Sequence, residues 1–390
     1  MSINRRNFLR ISATAGAGAL LLNPVDSVAS AKMSNEPKFP TRKLGKTGLE
    51  LPILSMGVMR ADNPSVVRAA YNSGILHFDT ANGYQNGKNE EMLGNFFKGK
   101  PRESLIIATK CKARYPFSDN FETEFTEMLE TSLKRLQMDY VDIFYAHAFQ
   151  TVGEVTDPRM IAILKKFKES GKVKFIGFST HANKPEQIDA AIEAGIYDVI
   201  LLSYNFKLKQ LPETKEAIAR GVKAGIGFVA MKTMTGGTAD ADGKKTIDAG
   251  ACLKWAWENE NITTAIPGFT NYDEFEQCMA AANDPKLNTK EQEYLASLSK
   301  EELMYCVNCE KCVDDCIEHL PIPDMMRAYM YNYGYKQPAL SKDTLMELAL
   351  ADNMCTSCST CSVNCTEGFD VQKKIASISK LAHVPNEFLV

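Results

Sequence analysis

Four side chains far apart in the chain share one kind of setting. Asp79 ends the apolar run Gly74-Ile75-Leu76-His77-Phe78, and Tyr84 follows it across the turn residues Asn82 and Gly83. Lys110 closes SLIIATK, and His147 closes YVDIFYAH. Runs this short and apolar predict buried strands, so each group stands at or just past a strand end, held rigidly yet facing solvent. An acid, a phenol, an ammonium and an imidazole suit the reduction of a carbonyl. The carbonyl oxygen becomes an alkoxide as hydride arrives, and it needs a proton. A free phenol, with a pKa of about 10, is a weak acid for neutral pH. An ammonium beside it favours the phenolate and lowers that value. Asp79 would keep Lys110 charged and in place, and a neutral His147 would donate a hydrogen bond to the same oxygen. Singly, each has a plainer reading: a rim ion pair, a loop aromatic, a satisfied histidine. Three of them at the ends of three successive strands favour the chemical one.

A second chemistry is written in the cysteines. Eight of the 11 fall in two groups, Cys306, Cys309, Cys312, Cys316 and Cys355, Cys358, Cys361, Cys365, each reading C-x2-C-x2-C-x3-C. That spacing lets three thiolates wrap one cubane while the fourth reaches the other cluster. Two [4Fe–4S] clusters are expected, one on Cys306, Cys309, Cys312 and Cys365, the other on Cys355, Cys358, Cys361 and Cys316. Neither fourth cysteine is followed by proline; Ile317 and Thr366 stand there instead. Structural zinc favours paired C-x2-C groups, and close x2 spacing is poor for disulfides, so both rank lower. Cys252 reads as core, and Cys111, next to Lys110, as a candidate lining residue.

The elements that must position these groups follow a rhythm. Apolar runs of strand length begin near residues 54, 75, 105, 141, 173, 198, 225 and 263 and alternate with helical stretches such as SVVRAAYNSG and FTEMLETSLKRL. Nearly continuous apolar strands imply that both sheet faces are covered. Eight of them, with helices between, predict a (β/α)8 TIM barrel whose site lies at the C-terminal strand ends. An open doubly wound sheet would want a Gly-rich phosphate loop after its first strand, and SMGVMRADN is not one. TRKLGKTGLE, with two turn glycines, reads as a hairpin ahead of the barrel. Beyond the helix LNTKEQEYLASLSKEEL the rhythm stops. The tail predicts helices in PDMMRAYMYNYG and KDTLMELALA, no strands, and a break at Pro338 and Ser341. The expected organisation is a leader at 1–31, a barrel at 41–300, and a small, mainly helical ferredoxin-like iron–sulfur domain at 301–390.

The leader reading rests on Arg5-Arg6 before Phe8-Leu9, a weakly apolar stretch too short to span a bilayer, and small residues at Ala29-Ser30-Ala31. It resembles a twin-arginine signal, so the mature chain is expected outside the cytoplasm, in a periplasmic location, with no membrane span. That route carries folded, cofactor-loaded proteins, which suits clusters assembled before export. A net charge of −3 and the absence of a basic, aromatic-interleaved patch argue against nucleic acid.

The motifs TRKLGKTGLELPILSMG, HFDTANGYQNGKNEEMLG, LIIATK, YVDIFYAH, GKVKFIGFST, MKTMTGG and AIPGFTN together resemble the aldo/keto reductase family over roughly residues 41–283. The resemblance implies Tyr84 as general acid, Asp79 and Lys110 as its tuning pair, His147 as the orienting group, and hydride from NADP(H) or NAD(H). It places Ser179, Thr180, Lys232, Gly236, Gly268, Thr270 and Asn271 on the cofactor. Thr180 stands where the family has Asn, Leu201 where it has Gln, and Gln277-Cys278 where it has Glu-Asn. The loop from Gly268 to Phe275 has no cation for a 2′-phosphate. The expected activity is a carbonyl–alcohol oxidoreductase acting on a small molecule and coupled through its clusters to a redox partner protein. A nicotinamide gives two electrons and a cluster takes one, and free nicotinamide cofactor is scarce outside the cytoplasm. Two further readings therefore stand: an electron-transfer protein whose barrel is a docking scaffold, and clusters that only staple the tail.

Overall fold

The computed structural model describes residues 39–235, 246–301, 303–307, 312–348, 355 and 358–389. The leader reading, Gly236 and Cys309 lie outside the described residues. All eight predicted barrel strands form. The hairpin β1 (Thr41–Lys43) and β2 (Glu50–Pro52) is antiparallel. The strands β3 (Met56–Gly57), β4 (His77–Asp79), β5 (Ile106–Cys111), β6 (Val141–Phe149), β7 (Val173–Thr180), β8 (Val199–Ser203), β9 (Gly227–Met231) and β10 (Thr264–Ala265) pair in parallel, in sequence order. The sheet closes: Leu54 bridges Ala265, and the Gly57 N–H donates to the Pro267 carbonyl at 3.0 Å. Closure excludes the open doubly wound alternative.

Inward residues Ala108, Ile143, Tyr145, Val199, Leu201 and Val229 fill the barrel, with Leu44 and Leu51 of the hairpin plugging its lower end. Alternate residues, among them Ile107, Phe144, Phe178 and Phe228, pack outward against the helices. This two-sided burial is why the strands read as continuous apolar runs. Gly177 is needed on β7, because a Cβ there would lie 1.9 Å from the Val199 carbonyl oxygen.

The helical layer consists of α1 (Pro64–Asn72), α2 (Lys88–Phe97), α3 (Phe121–Leu136), the short α4 (Val152–Thr156), α5 (Pro158–Glu169), α6 (Lys184–Ala194), α7 (Leu211–Lys223), α8 (Ala249–Trp257), α9 (Tyr272–Asn283) and α10 (Thr289–Ser299). Their starts carry the expected signals. Asn63 caps α1 with Pro64 behind it, and Asn288 and Glu291 form a reciprocal capping box on α10.

The tail forms α11 (Ile322–Tyr333), α12 (Pro338–Glu347) and α13 (Val371–Ser379), and has no strand among the described residues. Pro338 does not break the tail, as expected from sequence, but opens α12, where a missing N–H costs nothing. Ser341 is buried within that helix. Tail and barrel belong to one compact unit. Polar ties join them: Lys232 Nζ donates to the Tyr335 hydroxyl at 2.9 Å, Gln337 to the Arg60 carbonyl at 3.3 Å, and Asn86 to Asp343 at 3.1 Å. Among the described residues no helix is long and apolar enough to cross a membrane.

Candidate active site

Parallel pairing sets Asp79, Lys110 and His147 at the same end of adjacent strands, since β4 pairs with β5 and β5 with β6. Lys110 Nζ donates to Asp79 Oδ1 at 2.6 Å and to the Thr80 carbonyl at 2.5 Å. The pair is nearly sealed, with side chains 1% and 3% exposed. Lys110 Nζ lies 4.8 Å from the centre of the Tyr84 ring, and that ring meets His147 edge-on at 5.9 Å. All four side chains line one cavity of about 860 Å³, at the upper end of the range for small-molecule sites.

Burial raises the Asp79 carboxyl and lowers the Lys110 ammonium, and each partner opposes the shift in the other. His147 is held well below the usual imidazole range, first by burial and then by Lys110, Lys112 and Arg327. It is therefore a neutral hydrogen-bonding group at neutral pH. The Tyr84 phenol departs from expectation. Burial, with Asp79 and Tyr335 adding, pushes it far upward, and Arg327 opposes this. Desolvation outweighs the neighbouring charges here, so the phenol keeps its proton.

Of the residues expected on a cofactor, Lys232 and Gly268 line the cavity. The other described ones are engaged locally. Ser179 Oγ accepts from the Ala148 N–H, and Thr180 Oγ1 bonds both the N–H and the carbonyl of Ala182. Thr270 bonds Glu274, and Asn271 caps α9. Leu201 is buried inside the barrel. Cys111 does not line the site: it is fully buried in the outer core, and burial pushes its thiol up.

The ceiling of the cavity was not anticipated. Asp324, Arg327 and Tyr331 of α11, together with Tyr335, face the barrel residues across it, and His181 joins from the end of β7. Lys232 lies 5.3 Å from the Tyr331 ring centre and 4.9 Å from that of Tyr335, with Arg60 at 4.9 Å from Tyr335. His181, one residue past Ser179-Thr180 at a strand end, was findable from sequence. Arg327 sits in a segment that shows only helical period, and nothing local says which face it covers.

In the tail, Cys306, Cys312 and Cys365 line one small apolar cavity with Ile322, Met326 and Val371. The Cys355 thiol is raised to about 11, first by burial and then by Cys316, Cys361 and Cys358 around it. The two motifs are tied: Ser362 Oγ donates to the Asp315 carbonyl at 2.6 Å, and the Asn364 N–H to Asp315 Oδ2 at 3.2 Å. Among the described residues no disulfide forms, and no three Cys, His, Asp or Glu side chains gather as a single metal ion would need.

Comparison with known proteins agrees with the barrel. The model of the aldo/keto reductase family matches residues 55–251, half of the chain. L-Galactose dehydrogenase of Arabidopsis thaliana is 36% identical over 157 residues, covering 36% of this chain and 49% of that protein. An aldo-keto reductase of Glycine max is 32% identical over 203 residues, covering 48% of this chain and 57% of its own. The chain thus spans about half the length of the curated relatives it matches. A solved aldo-keto reductase from Bacillus halodurans, in its holo form, superposes with a TM-score of 0.56 at 21% identity, covering 67% of this chain and 97% of that one. The chain belongs to the aldo/keto reductase family of oxidoreductases.

Proposed function

We propose that the barrel interconverts a carbonyl and an alcohol on a small molecule, with Tyr84 as proton donor and acceptor. One observation carries the reading. The Tyr84 ring lies 4.8 Å from Lys110 Nζ and 5.9 Å from the His147 ring, above a sealed Asp79–Lys110 pair, and all four open on one cavity. A nicotinamide, when bound, supplies the hydride. Neutral His147 donates a hydrogen bond that orients the carbonyl oxygen, and Tyr84 gives that oxygen its proton. The phenolate so formed is stabilised by Lys110 and Arg327, and Asp79 holds Lys110 in place. Lys232 and Gly268 are the cofactor-side residues that reach the cavity.

We further propose that the tail carries two [4Fe–4S] clusters on the crossed sets Cys306, Cys309, Cys312, Cys365 and Cys355, Cys358, Cys361, Cys316. What supports this is that three of the first set line one cavity, and that the charges of Cys316, Cys361 and Cys358 bear on Cys355 in the second. Such clusters supply one-electron transfer. His181, Lys232 and Arg327 border both the catalytic cavity and a smaller one that reaches Cys306. This favours the Cys306 set as the barrel-side cluster, with a redox partner at the other. Export by a twin-arginine leader, to a periplasmic site, completes the reading.

The docking-scaffold alternative is favoured by one observation: Lys232, expected on a cofactor, already donates to Tyr335 of the tail. Anaerobic purification with an iron count, then titration with NADPH and NADH, separates the two. Cofactor uptake, and turnover abolished by Tyr84→Phe, support catalysis. No uptake, with no effect of Tyr84→Phe, supports the scaffold.

A further inference from the structure

We infer that the carbonyl substrate is an acid, and that Arg327 of the tail helix α11 binds its carboxylate across the cavity from Tyr84. The inference rests on the carbonyl-reduction reading and names the substrate class for that site.

The charges around the cavity are unequal. Beyond the mutually neutralised Asp79–Lys110 pair, its walls carry Lys112, Arg114, Lys232 and Arg327, with Arg60 paired to Glu274. Two further carboxylates reach it, and both are committed. Glu154 Oε2 accepts from the Gln150 and Thr151 N–H groups at 2.7 and 2.8 Å, closing the capping box of α4. Asp324 pairs with Arg327 one helical turn away. A cavity with surplus cations on its walls favours an anionic occupant.

Position distinguishes substrate from cofactor. Lys232 and Arg60 lie with Gly268 on the β9–β10–β3 side, where cofactor phosphates would belong. Arg327 comes from the tail helix, where its charge also reaches Lys232. Its charge bears on Tyr84, His147 and His181, so it stands at the reacting end. Its side chain is 14% exposed. A guanidinium has five donors in a planar fork, and Asp324 is the only carboxylate it meets among the described residues. The fork therefore retains donors for a second carboxylate, held while the same molecule's carbonyl reaches Tyr84 and His147. His147 and His181, both neutral, add no repulsion and offer N–H groups.

The test compares 4-carboxybenzaldehyde with its neutral methyl ester in the full-length, cluster-loaded protein, and measures benzoate binding by calorimetry. Arg327→Ala is expected to lower the acid-to-ester ratio of kcat/KM by about 10- to 100-fold, the span of a lost charge-assisted contact. It should weaken benzoate by a similar factor, and Arg327→Lys should recover part of both. Iron content and far-UV circular dichroism serve as folding controls. An unchanged ratio with unchanged benzoate binding would show that Arg327 merely staples α11 to Asp324, and would overturn the inference. If the wild type reduces neither aldehyde, the catalytic reading fails, and benzoate binding alone decides this one. Should Arg327→Ala not fold, Asp324→Asn carries the test: freeing the fork should tighten benzoate, and no tightening would count against it.

Discussion

The Asp79–Lys110 pair allows stability and chemistry to be separated. At 2.6 Å, two unit charges at an effective dielectric of about 20 attract by about 6 kcal/mol. Burial works against both ions, raising the acid and lowering the base. The net worth of the pair, relative to apolar groups of similar volume, is therefore near zero, while an unpaired survivor is costly. Lys110→Met leaves a buried carboxylate whose Oδ2 already has no hydrogen-bond partner. Asp79→Leu leaves a buried ammonium with the Thr80 carbonyl. Each single change is expected to cost about 3–5 kcal/mol, and the double variant to lie within about 1–2 kcal/mol of wild type. All three should be inactive. Anaerobic urea unfolding followed by tryptophan fluorescence is the assay. Both tryptophans, Trp255 and Trp257, sit in α8 of the barrel, so the signal reports on this element. If the double variant loses the sum of the singles, the pair is not coupled and the account of it is wrong.

Other outcomes follow from the same geometry. His77 is sealed beneath the site, with neither ring nitrogen partnered and its pKa depressed to about 3, by burial and then by Lys110. Between that value and the unfolded value of about 6.5 the unfolded chain binds the extra proton, so this stability is present above pH 6.5 and drains as pH falls. His77→Leu should remove the dependence, gaining about 1.3 kcal/mol on wild type between pH 7 and 5.5 in urea titrations; an unchanged gap would mean the imidazole finds a partner. Because His147 is neutral well below the usual imidazole range, kcat/KM should show no acidic limb near pH 6.5 that His147→Gln removes. For the clusters, Cys365→Ala should perturb the spectrum of the Cys306 set, and Cys316→Ala that of the Cys355 set. Perturbation of the set nearest in sequence would refute the crossing.

Strand rhythm gave the barrel because two-sided burial leaves a mark that needs no partner information: every run from LSMGV to TTAIPG became a strand. The three polar strand-end residues Asp79, Lys110 and His147 were legible for a related reason, since a polar side chain ending an apolar run is locally anomalous. The helices α2, α9 and α13 were missed; α9 and α13 lie where loop and cysteine motifs dominated the reading. The direction of the Tyr84 shift was wrong because a sequence names the ammonium but not the desolvation. Tyr331 and Tyr335 line the same cavity, and their placement there is a long-range event. Ser179 and Thr180 illustrate a similar limit, since hydroxyls match a motif whether or not local backbone groups engage them.

The ceiling changes what the barrel is. Asp79, Tyr84, Lys110 and His147 come from the barrel, but the cavity they line is not bounded by the barrel alone. The tail supplies one wall of the cavity and brings Arg327 as a cation whose charge acts on Tyr84. Lys232, Arg60 and Asn86 are each tied to the same tail. Changes in the part of the chain that bears the eight cysteines are therefore expected to alter the surroundings of Tyr84. An attachment serving only as a staple would not need to reach so far into the site. The geometry instead couples whatever changes the charge or packing of the tail to the barrel chemistry, through α11 and its arginine.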